Sequence, residues 1–547
     1  MKKLIQKKLD NSLKLVVKTS LIGLFGILIA KVFAFIYRTL IARSFGPEVY
    51  GLFSLSLIII AWFVSFSSLG LSEGLLRYIS IFRGKKEMSK IRYILRISLI
   101  FLLFSGLISG ILLFFTAEFI SVNLFHNAKL TIFLKIFACA FPIMIYYEIF
   151  LSIIRSFEKI ITHSVISDIF SNMIKPLILI LLIYFGIGSN AVILSYVLGT
   201  AVVLLIAYIY CRYALPPIIW QKSLKLRNKE KIKKELFSYS WPLMLVSIIT
   251  TILFWSDSLL IGYFKGALEV GVYNAAVPIA ALLFIVPVLF IKLFFPMITR
   301  EYSRKNFSLI KELSKQIGKW IFILNLPVLI IIILFPNAAI NILFGSDYLA
   351  AANPLRFLAI GSLVFSIAMV SNNIVSMTGK SKILLTDILI INVINIFLNI
   401  LWIPLPKILW LDNSTGLNGA ALATMISLFL YSIVLFIQSK SYAGVVPLRT
   451  KMANILLAAV IPTVLLIFIR NFVGRGIFTL IMLSLSFFLI YLIIVFSFKG
   501  FDKNDFMIIR AIKNKLYALG KIKKTDNKLA GTISKNLTEE KYQRSDR

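Results

Sequence analysis

The chain has 547 residues, 59% of them hydrophobic and only 15% charged, with a mean hydropathy of +0.92. Soluble domains are about half apolar and a quarter charged, so this balance excludes a water-soluble protein. The formal net charge of +36 would ordinarily point to nucleic acid, but its placement along the chain argues against that partner.

Residues 1–18 form a basic tail. The apolar run behind it continues past the length of a secretion signal, without a small-residue cleavage site, and reads as an uncleaved first span. Stretches of about 20 apolar residues cross a roughly 30 Å hydrocarbon core as helices. Fourteen are expected, near 19–41, 50–72, 93–115, 130–153, 164–185, 190–211, 238–262, 270–298, 318–338, 354–377, 383–404, 416–438, 452–470 and 476–498. They lack the alternation of a barrel wall, so the expected fold is an all-α integral membrane bundle.

Every second connection is basic, as in "RYISIFRGKKEMSKIRYILR" and "QKSLKLRNKEKIKK", while "GIGSN", "FKGALEV" and "FGSDYLAAANP" between them are nearly neutral. Short positive loops stay in the cytoplasm. Both termini are therefore expected there, in a multi-pass protein of the cell (plasma) membrane, and the basicity no longer calls for nucleic acid. Beyond Lys499, "FDKNDFMIIRAIKNKLYALG" has the pattern of a basic amphipathic surface helix, followed by a polar tail.

Two phrases about 220 residues apart resemble each other. "ARSFGPEVYGLFSL" aligns with the second half of "SDSLLIGYFKGALEVGVYNAA" on Gly51 and Gly271. Further on, "THSVISDIFSN" resembles "SKILLTDILIIN", and "GSNAVILSYVLG" resembles "LNGAALATMIS". Three matches in order at a near-constant offset imply a duplicated, parallel six-helix unit. The expected organisation is an N-tail (1–18), an N-terminal bundle (19–211) and a basic linker (212–237). A C-terminal bundle (238–438), an extra helix pair (439–498) and a cytoplasmic tail (499–547) follow. Two such bundles enclose a cleft that rocking exposes to alternate sides.

Ionisable residues at mid-membrane cost about 2.5–3.5 kcal/mol each and persist where water, a partner or a ligand receives them. Lys31, Lys175 and Lys292 lie deep in spans 1, 5 and 8. Arg38 shares a helical face with Lys31, and Lys175 shares one with Asp168 and Asn172. Asn392, Asn395 and Asn399 form a polar stripe on span 11. Lys31, Arg38, Lys175, Lys292 and Asn395 are the candidates for binding an anionic substrate, for which lysine supplies a mobile point charge. Glu73, Asp168, Asp257 and Asp387 are candidates for ion coupling or gating. The repeat offset places Asp257 close to the equivalent of Arg38, so the two are expected to face each other across the cleft. Any of these charges is equally compatible with a structural pair, such as Asp168 with Lys175, or with a snorkelling end residue.

No Ser/His/Asp, zinc or phosphate-loop pattern can be assembled; His126, His163, Cys139 and Cys211 are scattered. No metal, cofactor or catalytic residue is expected, and the chain is not expected to be an enzyme.

The phrases "RTLIARSFGPEVYGLFSL", "SDSLLIGYFKGALEVGVYNAA", "LFGSDYLAAANPLRFLAIG", "MTGKSKILLTD" and "NIFLNILWIPLP…GLNGAALATMIS" together resemble the polysaccharide transport family of lipid-linked oligosaccharide flippases. That family lies within the multidrug/oligosaccharidyl-lipid/polysaccharide exporter superfamily, and the resemblance covers roughly residues 15–500. It implies movement of a polyprenyl-(di)phosphate oligosaccharide from the inner to the outer leaflet by alternating access. The implied partners are that substrate, membrane lipids and proteins of glycan assembly. Two rivals are a multidrug or cation exporter of the same superfamily, which would favour an acidic cleft, and a membrane glycosyltransferase or polysaccharide polymerase. The latter needs a sizeable outer loop, whereas "PLPKILWLDNSTGLN" offers only Asp412.

Overall fold

The computed structural model describes residues 2–215, 229–303, 306–408, 410–469, 477–498 and 500. The expected amphipathic helix and polar tail lie outside these residues. The chain folds as helices α1 (Lys2–Ser67), α2 (Leu71–Gly84), α3 (Met88–Glu118), α4 (Lys129–Ser156), α5 (Ile160–Ser164) and α6 (Ser171–Tyr184). Next come α7 (Asn190–Tyr213), α8 (Lys229–Phe264), α9 (Ala267–Ala280), α10 (Ile285–Ser303), α11 (Phe307–Leu334) and α12 (Pro336–Leu343). Last are α13 (Ala352–Met377), α14 (Ser381–Trp402), α15 (Leu417–Ala443), α16 (Lys451–Ile469) and α17 (Ile477–Ser497). A π-helical turn, Val165–Phe170, joins α5 to α6, and a two-residue-per-strand hairpin pairs Lys407–Ile408 with Leu411–Asp412.

Twelve described segments are long and apolar enough to cross a membrane, two fewer than expected. The difference is local. Leu28–Ser67 counts as one forty-residue segment, and Met482–Ser497 counts as a shorter apolar helix. Forty helical residues span about 60 Å at 1.5 Å each, twice the hydrocarbon thickness. Gly46 resolves the excess: its φ of 79° and ψ of 177° break α1 into two arms just before Pro47, which has no amide hydrogen to continue the ladder. The linker also differs from expectation, since α7 runs to Tyr213 and α8 begins at Lys229.

The outer surface is apolar. Phe104, Ile108, Ile111 and Phe115 follow one stripe of α3 and are 57–79% exposed, a pattern that only lipid can cover. Inside, Tyr50, Tyr273, Tyr348, Phe133, Phe137 and Phe141 are fully buried. The two copies of the repeated phrase meet there. A Cβ placed on Gly51 would lie 1.7 Å from the Ala267 carbonyl oxygen, and one on Gly271 would lie 1.9 Å from that of Pro47. The contact is reciprocal, each glycine abutting the residue four positions before the other. Only glycine permits two helix backbones to approach so closely.

Around this contact one end of the bundle is sealed. Arg43 donates to the carbonyls of Asn341 (3.0 Å), Ile342 (2.6 Å) and Leu343 (3.3 Å) at the C-terminus of α12. Unpaired carbonyls at a helix end carry partial negative charge, so a guanidinium fits there. The Tyr348 hydroxyl donates to the Ala42 carbonyl at 3.2 Å. The basic loops with Lys85, Lys86, Lys159 and Lys380 join helices at the opposite end. There α2 packs on α8 through Tyr78, whose hydroxyl donates to the Glu235 carbonyl, and Arg77, stacked 4.1 Å from the Tyr239 ring centroid. The pair α16 and α17 docks on α11, where Tyr491 donates to the Ile323 carbonyl and buried Lys319 donates to the Gly500 carbonyl.

Candidate functional site

Asp257 of α8 is the centre of a polar pocket inside otherwise apolar helices. Its Oδ2 accepts from the Tyr273 hydroxyl at 2.8 Å and from Thr424, and its Oδ1 accepts from Asn399 Nδ2 at 2.8 Å. Asn395 joins the group, accepting from Ser256 Oγ at 2.8 Å and donating to Thr424 Oγ1 at 3.2 Å. Tyr273, Ser256, Asn395 and Asn399 are all nearly inaccessible. Four helices thus contribute: α8, α9, α14 and α15. The asparagine stripe read from the sequence faces inward, because the i, i+4 spacing of Asn395 and Asn399 puts both on one side of α14. Asn399 Oδ1 is buried without a hydrogen-bond partner.

The first repeat holds a related group without the acid. Aligning Gly51 with Gly271 puts Tyr37 at the position of Asp257, and aligning "GSNAVILS" with "LNGAALAT" puts Ser195 at that of Thr424. The Tyr37 hydroxyl lies 3.0 Å from Ser195 Oγ and donates to the Val192 carbonyl. Equivalent positions therefore bond to each other in both halves, with tyrosine in one and aspartate in the other. The expected facing of Arg38 and Asp257 is corrected by one residue. Arg38 instead lies beside the Tyr50 hydroxyl, which donates to the Asn274 carbonyl at 3.2 Å. Asn274 in turn donates to Ser258 Oγ at 3.0 Å, next to Asp257. That chain of bonds ends at Ser258 and does not reach the Asp257 side chain, and Arg38 and Asp257 form no ion pair.

Lys175 of α6 is half-buried, with Nζ 3.9 Å from the Tyr196 ring centroid. Tyr196 is wedged edge-on between Phe53 and Phe137. The expected Asp168–Lys175 pair does not form. Asp168 accepts from Ser167, and its main-chain carbonyl accepts from Asn172. Glu148, an exposed side chain, lies beside Tyr147 and Tyr196. Lys31 is exposed on the first arm of α1, and the side chain of Lys292 lies outside the described residues. Glu73 pairs with Arg155 at 3.4 Å near the basic end, and Asp387 accepts from Gln438 at 2.7 Å. Among the described candidates, Asp257 and Asn395 are thus brought together through Asn399 and Thr424, while Arg38 neighbours Lys31 on α1 and not Asp257. Sequence reasoning missed Thr424, Ser256 and Tyr196. The repeat carried a signal for Thr424, as the counterpart of Ser195.

A family model described as polysaccharide biosynthesis protein matches residues 16–302, and a second, MatE, matches residues 242–401. The chain belongs to the polysaccharide biosynthesis protein family. Members and relatives are transporters and flippases rather than enzymes. A Shigella flexneri protein provisionally named an O-antigen transporter is 24% identical over 375 residues, covering 67% of this chain and 86% of its own. Among solved structures, the lipid II flippase MurJ in an inward closed conformation superposes with a TM-score of 0.65 at 17% identity. The match covers 88% of this chain and 98% of MurJ. An inward-facing multidrug resistance transporter of the MATE family gives 0.62 at 14% identity, covering 78% and 99%. At these identities the two structures establish the fold of this family member, a multi-pass membrane transporter, and no more.

Proposed function

We propose that the chain moves a polyprenyl-(di)phosphate-linked oligosaccharide from the inner to the outer leaflet by alternating access between an N-terminal bundle (19–211) and a C-terminal one (238–438). Both termini would be cytoplasmic, as the basic loops favour. A sugar chain carries hydroxyls that are costly to bury unpaired in hydrocarbon, so its headgroup needs a polar passage while the tail stays in lipid.

The observation that carries this reading is the pair of cations on interior faces of the first repeat, Arg38 and Lys175. Among the described residues neither has a carboxylate partner: the ion pairs Arg83–Glu158, Lys90–Glu87, Lys129–Glu48 and Arg155–Glu73 involve other residues. A phosphate is the natural counter-charge for such groups. Asp257 takes the coupling role in this scheme. Its carboxylate is the titratable group of this buried cluster, held by hydroxyl and amide donors from Tyr273, Thr424 and Asn399, and such intramembrane acids suit proton transfer.

The test is reconstitution with a fluorescent lipid-diphosphate oligosaccharide, following its accessibility from each leaflet. Loss of one charge-assisted contact is worth about 1.5–3 kcal/mol, so Arg38→Ala and Lys175→Ala should each slow flipping about tenfold or more. Wild-type rates from both variants would overturn the anion site.

A further inference from the structure

Apart from the polar interior, the first half of the molecule carries a groove of about 710 Å³ on its outer face, lined by Arg96, Leu99, Tyr146, Phe150, Ala201 and Tyr208 among others. Its floor is α4. Helices α3 and α7 each pack on α4 and stand apart from one another, leaving the trough between them. Tyr146 is fixed by a hydrogen bond to the Leu99 carbonyl at 3.1 Å, and Phe150 packs edge-on against Tyr208 at 5.6 Å. The rim residues Ile100 and Leu205 are 48% and 56% exposed, so the trough opens towards lipid.

We infer that this groove is a binding site for one anionic membrane phospholipid, with an acyl chain along the α4 floor and the phosphate at Arg96. The volume falls in the range of about 300–1,000 Å³ typical of pockets that enclose most of a small ligand. The lining is largely carbon, and its cation is Arg96. Arg96 is exposed and joins none of the ion pairs among the described residues, and the lining Tyr208 accepts from the Arg212 guanidinium at 3.4 Å. Basic pockets between helices at a cytoplasmic surface recognise lipid phosphates, and a guanidinium engages such a phosphate through two parallel bonds. All three helices present the groove from their basic-end halves: α3 near its start, α4 and α7 towards their ends. Assignment to the inner leaflet rests on the orientation proposed above, whereas occupation of the groove does not. The trough lies on α3, α4 and α7, away from the Gly51–Gly271 contact between the halves, which favours a resident phospholipid over the transported lipid.

The experiment is native mass spectrometry of the full chain after purification from mixed phosphatidylcholine and phosphatidylglycerol, a readout blind to leaflet and to transport. Wild type should retain phosphatidylglycerol in preference to phosphatidylcholine by about tenfold, the worth of one charge-assisted contact. Arg96→Ala should abolish that preference and Arg96→Lys should restore part of it. Ala201→Trp, which fills the trough on a lipid-facing surface, should remove the bound lipid with thermal unfolding unchanged. Wild-type retention in both Arg96→Ala and Ala201→Trp would overturn the site. Displacement of phosphatidylglycerol by a polyprenyl phosphate at equal concentration would overturn the choice of occupant.

Discussion

Lys175 occupies a position where an ammonium is costly, and its only observed compensation is the face of Tyr196 at 3.9 Å. A cation–π contact is worth about 0.5–2 kcal/mol, against about 2.5–3.5 kcal/mol for placing lysine at mid-membrane. The balance is unfavourable, as expected of a residue kept for function. Lys175→Met should therefore raise the unfolding temperature while lowering flipping. A fall in both would mean the lysine is a structural anchor. Asp257 is the opposite case. Replacing it by alanine strands the Tyr273, Thr424 and Asn399 donors and should cost about 2–4 kcal/mol of stability. Asp257→Asn keeps the volume and one acceptor, so it should fold and lose any dependence of transport on an imposed ion gradient. Persistence of that dependence would remove Asp257 from the coupling role. The sequence picked out both residues by their depth in apolar runs. It could not supply Ser256 or Tyr196, because a serine or tyrosine in a membrane helix is unremarkable until its neighbours are known.

At the scale of elements, the glycine pair decides how the two copies of the repeat meet. A methyl group on either glycine would occupy the space of a carbonyl oxygen, at 1.7 or 1.9 Å. Overpacking typically costs about 1–3 kcal/mol, so Gly51→Ala and Gly271→Ala should each lower thermal stability markedly. The double variant should cost less than the sum, since the first separation of the helices makes room for the second methyl. Strict additivity in that cycle would show that the glycines do not share one contact. The alignment that paired Gly51 with Gly271 came from residue types alone. That they touch did not, because a repeat fixes equivalence and not distance. The bend at Gly46 was legible as a break between spans 1 and 2 because glycine before proline is a poor continuation of a helix.

For the whole molecule, Arg43 and Tyr348 tie the two repeats together at one end, and the alternating access proposed above requires that seal to open. Arg43 bonds three carbonyls of α12 from the other repeat. Removing about 1.4 kcal/mol from the closed state shifts the equilibrium tenfold. Arg43→Ala should accordingly speed labelling of Ser54→Cys, buried near Tyr50, by a membrane-impermeant thiol reagent in a chain whose Cys139 and Cys211 are serines. Unchanged labelling would show that Arg43 does not hold the seal. The three helices of the lipid groove lie outside this seal, so its occupancy should be insensitive to Arg43→Ala.

Hydropathy by itself determined a helical membrane bundle, and the repeated phrases suggested which residues correspond between its halves. Those features are one-dimensional: each depends only on the local solvent a segment requires or on order along the chain. Which polar groups touch is a property of packing between segments hundreds of residues apart. One helical position turns a side chain by 100°, so a register error of one residue was enough to put Arg38 where Tyr37 belongs. Only the tertiary structure could decide that Asp257 is sealed among Tyr273, Asn399 and Thr424 while Arg38 lies against Tyr50.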